Sequence, residues 1–288
     1  MSQFITETFT RQYKTNVELL LQTMGSQLRG SVMEESYTGE GGRPVNQIGQ
    51  VAARKREVRH ADTPIIETPH SSRWVEPSDY EWADLIDDQD KLRTLVDPQG
   101  PYAQNGALAL GRSIDSEIVA AALGSSKTGP QGTGTAESFD ITNFSIASGS
   151  VGMTVDKLIT AKQKLMAAKV DVRRESLYVV MKAKQHANLL NETRASSRDY
   201  NDQPILKNGM IDMFMGFKFI FLEEIDQVSS EDACFAWAKS GLHLGIWNDI
   251  TTRISERSDK SYATQVYVKG TFGATRTQQG KIVRILCA

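Results

Sequence analysis

Residues 209–221 read GMIDMFMGFKFIF, and this stretch does most to decide the fold. Its second half, from Gly216 to Leu222, is a predicted strand because Phe217, Phe219 and Phe221 recur at every second position and share one face. Three phenylalanines in a row on one face are explained better by a hydrophobic core than by stacking against nucleic-acid bases. The sequence therefore predicts a sheet with a buried face.

The segments on either side of this strand indicate an α+β fold with mixed sheets, since strands and helices alternate without a regular βαβ repeat. Thr154 is the expected N-cap of one helix, and its side chains Leu158, Ile159, Leu165 and Met166 are expected to face the core. The wholly apolar residues 177–181 are typical of a central strand. The further predicted strands are 234–238, 262–272 and 281–286, and the predicted helices are 154–168 and 184–191.

A long helix is predicted upstream, over residues 101–123, with Pro101 in its first turn and Gly124 at its end. Small residues such as Gly106 and Gly111 leave room for another element to approach it closely. A glycine-rich segment, 124–135, follows as a predicted flexible loop. Before the long helix, a short helix is predicted to begin at 79, carrying Tyr80, Trp82, Leu85 and Ile86.

The first quarter of the chain lacks a core of its own. Residues 4–29 are predicted to form one amphipathic helix whose stripe is Phe9, Tyr13, Val17, Leu20, Leu21, Met24 and Leu28. A break at Gly39, Gly41 and Gly42 follows, and then a predicted long β-hairpin within 47–76 with a basic middle. A helix with an apolar stripe and an isolated hairpin both need a partner surface. This arrangement favours interlocking subunits.

Composition excludes several classes of protein. A net charge of −2 over 288 residues argues against a basic DNA-coating protein. No apolar run is long enough for a membrane span, and charged residues interrupt the N-terminus where a signal peptide would be apolar. The two cysteines, Cys234 and Cys287, form no disulfide framework, so we expect a soluble cytosolic protein.

The sequence contains no convincing catalytic motif, and neither a cofactor nor a metal is expected. The histidines are scattered without metal-ligand spacing. The strongest enzyme alternative is a metal-dependent activity that uses the acidic cluster Asp84, Asp87, Asp88 and Asp90, although this cluster lacks the calcium-loop spacing.

The order of elements resembles the major capsid protein of tailed bacteriophages, the Hong Kong 97-type fold. The most specific wording is residues 209–221 and residues 233–246, which read ACFAWAKSGLHLGI. The resemblance covers nearly the whole chain. It implies an N-terminal arm (1–45), an E-loop (46–77), a peripheral domain (78–138) with spine helix 101–123, an axial domain (139–252), a peripheral return strand (253–277) and a closing axial strand (278–288).

The resemblance implies a structural protein without catalysis, whose hexamers and pentamers tile an icosahedral shell around non-specifically packaged double-stranded DNA. It also implies a portal, possible scaffolding or decoration proteins, assembly in the host cytoplasm and location in the virion capsid. An encapsulin-like nanocompartment around a protein cargo is the alternative with the same fold. The expected inter-subunit contacts are Phe9, Tyr13, Val17, Leu20, Met24, Arg54, Lys55, Arg56, Arg59 and Trp74.

Overall fold

The computed structural model describes residues 25–42, 46–55, 65–87, 99–192 and 211–288. The chain forms two compact units. The first comprises Met1–Ser26, Asp79–Ser113 and Asn248–Gly270, and the second comprises Gln27–Ser78, Ile114–Trp247 and Thr271–Ala288. Both helices and strands are present, so the α+β prediction is confirmed.

The helices and strands of the described residues are numbered in chain order. The helices are α1 (Gln99–Leu123), α2 (Ile141–Phe144), α3 (Val155–Ala167) and α4 (Ala183–Asn191). The strands are β1 (Met33–Ser36), β2 (Asn46–Ile48), β3 (His70–Trp74), β4 (Ser78–Ile86), β5 (Lys127–Thr128), β6 (Ser145–Ile146), β7 (Leu177–Met181), β8 (Met213–Phe214), β9 (Phe217–Phe221), β10 (Gln227–Val228), β11 (Glu231–Ala238), β12 (Leu242–Arg257), β13 (Ala263–Arg276) and β14 (Ile282–Cys287).

The second unit is built around a seven-stranded sheet in the order β6-β14-β11-β7-β9-β8, with β10 paired to β11. Strand β7 lies between β11, which is antiparallel to it, and β9, which is parallel. The prediction of a central strand at 177–181 is therefore confirmed. Phe217 and Phe219 are buried in the core of this unit and Phe221 packs against it, which confirms the core interpretation of the phenylalanine row. The closing strand β14 lies in the same sheet.

Helix α3 supplies one layer of that core. The Thr154 side chain caps it by accepting a 3.3 Å hydrogen bond from the Lys157 amide, as predicted. Leu158 and Leu165 are fully buried, but Ile159 and Met166 are 44% and 56% exposed, so their predicted burial is wrong. The buried line runs through Val155, Leu158, Ala161 and Leu165. Each of the two exposed residues follows a buried one and is therefore turned about 100° away from the core.

The first unit contains strand β4, where a short helix was predicted, so that prediction is wrong for residues 78–86. Tyr80 and Trp82 are half-buried, whereas Asp79 and Glu81 are exposed. This alternation has the period of a strand, and β4 pairs beside the long strand β13 in a four-stranded sheet of order β1-β12-β13-β4. Pairing with a long strand thus overrides local helix propensity.

Helix α1 confirms the long helix predicted over 101–123. Its small residues do allow close approach. A Cβ added at Gly106 would lie 2.5 Å from the Trp82 ring, and one at Gly111 would lie 2.7 Å from the backbone of Gly25 and Ser26. Each of these neighbours therefore sits where a side chain would otherwise be. No helix in the described part of the chain is long and apolar enough to cross a membrane.

Candidate subunit-contact surfaces

The predicted contact residues divide into two groups. Three of them, Arg54, Lys55 and Trp74, are described by the structure. The others lie outside the described residues: Phe9, Tyr13, Val17, Leu20, Met24, Arg56 and Arg59. The described contact surfaces are therefore the base of segment 46–77, for which we keep the label E-loop from the resemblance, and the segment that follows residue 25.

The stem of the E-loop is a short antiparallel ladder. Strands β2 and β3 pair through three residue pairs, from Asn46 with Ser72 to Ile48 with His70. The Gly49 amide donates to the Pro69 carbonyl at 2.7 Å, and residues 50–55 and 65–69 form no strand. The hairpin predicted to be long is thus a short ladder within the described residues.

The second edge of the stem is paired within the same chain. Strand β5 lies in the segment 124–135, and it pairs with β3 through Arg73 and Trp74. The Gly129 amide also donates to the Ser72 carbonyl at 3.2 Å. The segment 124–135, predicted as a loop, thus contains a short strand, and backbone hydrogen bonds join it to a distant part of the chain. Its predicted flexibility stays a prediction.

A backbone bridge joins the segment just before the E-loop to the last part of the E-loop. Gly42 and Val75 form an isolated antiparallel bridge. The Gly42 amide donates to the Val75 carbonyl at 2.9 Å, and the Val75 amide donates to the Gly42 carbonyl at 3.0 Å. Both residues are buried. The bridge therefore brings the two flanks of the E-loop together within the second unit.

Buried charges hold the stem in place. The guanidinium of Arg73, which is 8% exposed, donates from Nε to the Thr277 carbonyl at 2.8 Å and pairs with Glu137. Gln47 donates to the same carbonyl of Thr277. The stem is thus attached to the residues that follow strand β13 by hydrogen bonds from both of its strands.

Arg276, which is 1% exposed, ties this region to the end of helix α1. It donates to the carbonyls of Ala122 at 3.1 Å, Gly124 at 2.8 Å and Glu137 at 2.9 Å. A cation at a helix C-terminus satisfies carbonyls that have no partner within the helix. Burial lowers the pKa of Arg276 to about 10, while the Glu137 carboxylate acts against this shift. The side chain is therefore charged at neutral pH.

Trp74 packs against its own chain. A Cβ on Gly41 would lie 2.3 Å from the indole ring, and one on Gly132 would lie 2.8 Å from it. The side chain is half-buried by these contacts. The structure thus places Trp74 as a support for the stem, and its predicted contact with another subunit stays a prediction.

Arg54 and Lys55 lie beyond the stem, on an exposed part of the loop. Large apolar side chains accompany them in the described residues: Ile48 is 68% exposed, Val51 46%, Ile65 94% and Ile66 47%. A loop that presents both isoleucines and cations to solvent leaves apolar area uncovered in the single chain. The sequence predicts such an uncovered surface, because the first quarter of the chain has too few apolar residues to form a core of its own.

The segment after residue 25 is not the end of a helix, so the predicted helix over 4–29 is wrong at its C-terminal end. Gln27 and Leu28 are not helical, and their amides donate to the Asp115 carboxylate at 2.8 and 3.0 Å. Leu28 is fully buried, and the Ser31 carbonyl accepts a 3.1 Å hydrogen bond from the Trp237 indole. We call residues 27–42 the arm root, since they pack into the second unit.

The acidic alternative gains no support in the described residues. Asp84 lies on β4 and Asp87 just after it, whereas Asp88 and Asp90 are outside the described part. Among the residues that the structure describes, no three histidine, cysteine or acidic side chains are grouped so that they could hold a metal ion.

Comparison with known proteins shows which protein family the sequence matches. The model of a family described as phage capsid protein matches residues 5–288. No curated protein matches the sequence. Similar solved structures include the capsid of cyanophage P-SCSP1u, with a TM-score of 0.74 at 11% identity, covering 99% of this chain and 94% of that one.

Two further structures show the same fold. The capsid asymmetric unit of cyanophage Pam1 gives a TM-score of 0.72 at 13% identity, covering 98% of this chain and 97% of that one. The capsid of a native GTA particle, computed with C5 symmetry, gives 0.69 at 14% identity, covering 98% of this chain and 96% of that one. The fold predicted from the resemblance is confirmed.

Proposed function

This chain belongs to the phage capsid protein family and is a major capsid subunit, and we propose that its copies assemble into the hexamers and pentamers of an icosahedral shell around double-stranded DNA. The single observation that carries the proposal is the family match over residues 5–288. It is supported by an exposed E-loop whose apolar and basic side chains have no covering surface within the described chain.

The E-loop is proposed to lie on a neighbouring subunit. Arg73, Gln47 and strand β5 fix its stem. The exposed residues beyond the stem therefore begin and end at a fixed position. Burying the exposed isoleucines at about 25 cal/mol per Å² supplies the main attraction. Arg54 and Lys55, with Arg56 and Arg59, add contacts that are individually weak but repeated at every interface.

The N-terminal arm is proposed to cross onto an adjacent subunit from a fixed exit point. The Asp115 carboxylate and the Trp237 indole hold the arm root, so residues before Gly25 start from a defined place. Burial of Phe9, Tyr13, Val17, Leu20 and Met24 against the neighbour is the corresponding proposal for the arm.

The domain assignment implied by the resemblance is also proposed. The proposed axial domain comprises 139–252 and 278–288, which hold the seven-stranded sheet with α3 and α4, and the proposed peripheral domain comprises 78–138, with α1 as its spine helix, and 253–277. The proposed partners are a portal, scaffolding or decoration proteins, and DNA bound without sequence preference. Assembly is proposed to take place in the host cytoplasm, with the protein then located in the virion capsid.

Electron microscopy of the purified assembly tests this function. We expect closed particles, or capsomers of five and six copies, that contain double-stranded DNA when they are isolated from an infection. Particles filled with a protein cargo would support the nanocompartment alternative, which no observation on the described residues favours. A monomer that persists at high concentration in light scattering would contradict the proposal.

A further inference from the structure

An aromatic cluster joins the arm root to strand β12. The Tyr37 ring lies between His243 and Trp247, with ring centroids 5.8 and 5.3 Å away. Two glycines form the slot in which it sits. A Cβ on Gly245 would lie 2.9 Å from the Tyr37 ring, and one on Gly42 would lie 2.8 Å from it. The ring therefore fits only while both positions lack a side chain.

Hydrogen bonds at Tyr37 determine which nitrogen of His243 carries the proton. The Tyr37 hydroxyl is 2.7 Å from a Glu35 carboxylate oxygen and 3.0 Å from Nε2 of His243. An ionised carboxylate can only accept, so the hydroxyl donates to Glu35 and the Nε2–H of His243 donates to the hydroxyl oxygen. The remaining nitrogen of His243, Nδ1, therefore carries no proton.

That nitrogen is in a position where a proton is costly. His243 is 2% exposed, and its Nδ1 is buried without a hydrogen-bond partner. Protonation would create a buried cation with an unsatisfied N–H group. Burial lowers the pKa of His243 from 6.5 to about 4, although the Glu35 charge opposes this shift.

The charge of Glu35 offsets this cost only in part. Tyr37 and Glu35 face the ring from the arm root, and burial together with Glu35 raises the pKa of the Tyr37 hydroxyl, which keeps it a neutral donor. On the adjacent strand β13, the Arg276 guanidinium donates to the carbonyls at the end of α1. Among the described residues, Glu35 is the group whose charge favours the protonated ring.

The segment that Tyr37 holds has little other burial. All four residues of β1 are exposed, and β1 is attached to β12 by a parallel ladder from Met33 with His243 to Ser36 with Ile246. The Tyr37 amide continues this ladder by donating to the Ile246 carbonyl at 2.9 Å. We propose that Tyr37 and His243 form an acid-sensitive latch, which holds residues 33–37 on β12 at neutral pH and releases them when His243 is protonated.

The direction of the pH dependence follows from the linkage between proton binding and latch opening. A histidine whose pKa is depressed in the closed state takes up its proton mainly when the latch opens, so closure weakens as pH falls from 6.5 towards 4. The equilibrium for opening rises roughly 100-fold between pH 7 and pH 4. Release itself is independent of the capsid function. Its consequence in an assembled shell, loss of the strand pairing between the arm root and β12, rests on the proposed function.

Hydrogen exchange of the unassembled whole chain tests the latch. Protection of the Tyr37 amide is measured from pH 7 to pH 4 relative to that of the Val179 amide in β7, which removes the intrinsic pH dependence of exchange. We expect a fall of roughly 100-fold in this ratio for the wild type. In His243→Gln the ratio should stay flat, and in the control His186→Asn the fall should persist.

Two further variants keep the test decisive if His243→Gln does not fold. Gly245→Ala pushes against the Tyr37 ring and should reduce protection at every pH. Glu35→Gln removes the charge that favours protonated His243, so the fall at pH 4 should become larger. If the protection ratio no longer falls in Glu35→Gln, Glu35 is the acid-sensitive group and the proposal is overturned. The proposal is also overturned if the ratio falls equally in His243→Gln and in the wild type, or if it does not fall in the wild type. A shell that fails to assemble would leave these results unaffected.

Discussion

At the scale of single residues, Arg276 shows how one side chain can connect three distant segments. Its guanidinium reaches carbonyls more than 130 residues away in sequence, at the end of α1 and at Glu137. Glu137 in turn pairs with Arg73 of the E-loop stem. The orientation of the stem therefore depends on buried charges as well as on its strands.

Replacing Arg276 by Met should be destabilising, because the carbonyls of Ala122, Gly124 and Glu137 lose their donor. A buried acceptor left without its donor costs about 1–3 kcal/mol, and the Ala122 carbonyl is such an acceptor, so we expect a loss of at least this size. Urea unfolding of the unassembled chain measures the loss. Arg174→Met is the control, since the Arg174 side chain is 89% exposed, and it should change stability by less than about 0.5 kcal/mol. Equal losses in both variants would contradict the role of Arg276.

At the scale of secondary structure elements, the close approach of β4 to helix α1 depends on a missing side chain. Gly106→Ala places a methyl group 2.5 Å from the Trp82 ring and 2.7 Å from Val268, both rigid neighbours. Overpacking of this kind costs about 1–3 kcal/mol. Gly30→Ala, which has no atom within 4 Å of its added Cβ, is the matched control and should leave the thermal midpoint nearly unchanged. Similar shifts of the thermal midpoint in Gly106→Ala and Gly30→Ala would show that the packing of Trp82 against Gly106 is not tight.

The arm and its root should respond differently to truncation. Removing residues 1–24 leaves Leu28, Val32 and β1 in place, so we expect a folded chain that no longer assembles. Removing residues 1–38 also takes away two almost fully buried apolar side chains, Leu28 and Val32, and should lower the thermal stability of the chain by several degrees. Circular dichroism and electron microscopy separate the two effects. Particles of normal yield from the shorter truncation would refute the role of the arm.

Sequence patterns located most elements of the second unit, since β7, β9 and α3 carry local periodicity that does not depend on distant residues. Strand β4 was missed because its pairing with β13 outweighs the preference of its own residues. The contacts of Asp115, Arg276 and His243 could not be predicted from the sequence either. Their partners lie 88, 154 and 206 residues away, and no local pattern encodes such a contact.

At the scale of the whole molecule, assembly is expected to depend on the charge of the E-loop. Arg54→Glu together with Lys55→Glu places like charges against any acidic surface and should abolish particles at low salt, with partial recovery as salt screens the repulsion. Arg54→Lys with Lys55→Arg keeps the charge and should assemble normally. Sedimentation across a salt series measures the yield. Normal particle yield from the reversed pair would contradict a role for these cations.

The bridge between Gly42 and Val75 has a consequence for how this protein can change. Since this bridge and the β2–β3 ladder close the chain behind the outer part of the E-loop, the length of the segment beyond the stem is not dictated by the core. Doubling such a loop costs only about 0.6 kcal/mol of closure entropy. A foreign epitope could therefore be spliced beyond the stem, between Val51 and Ile65, without shifting the register of any strand behind it.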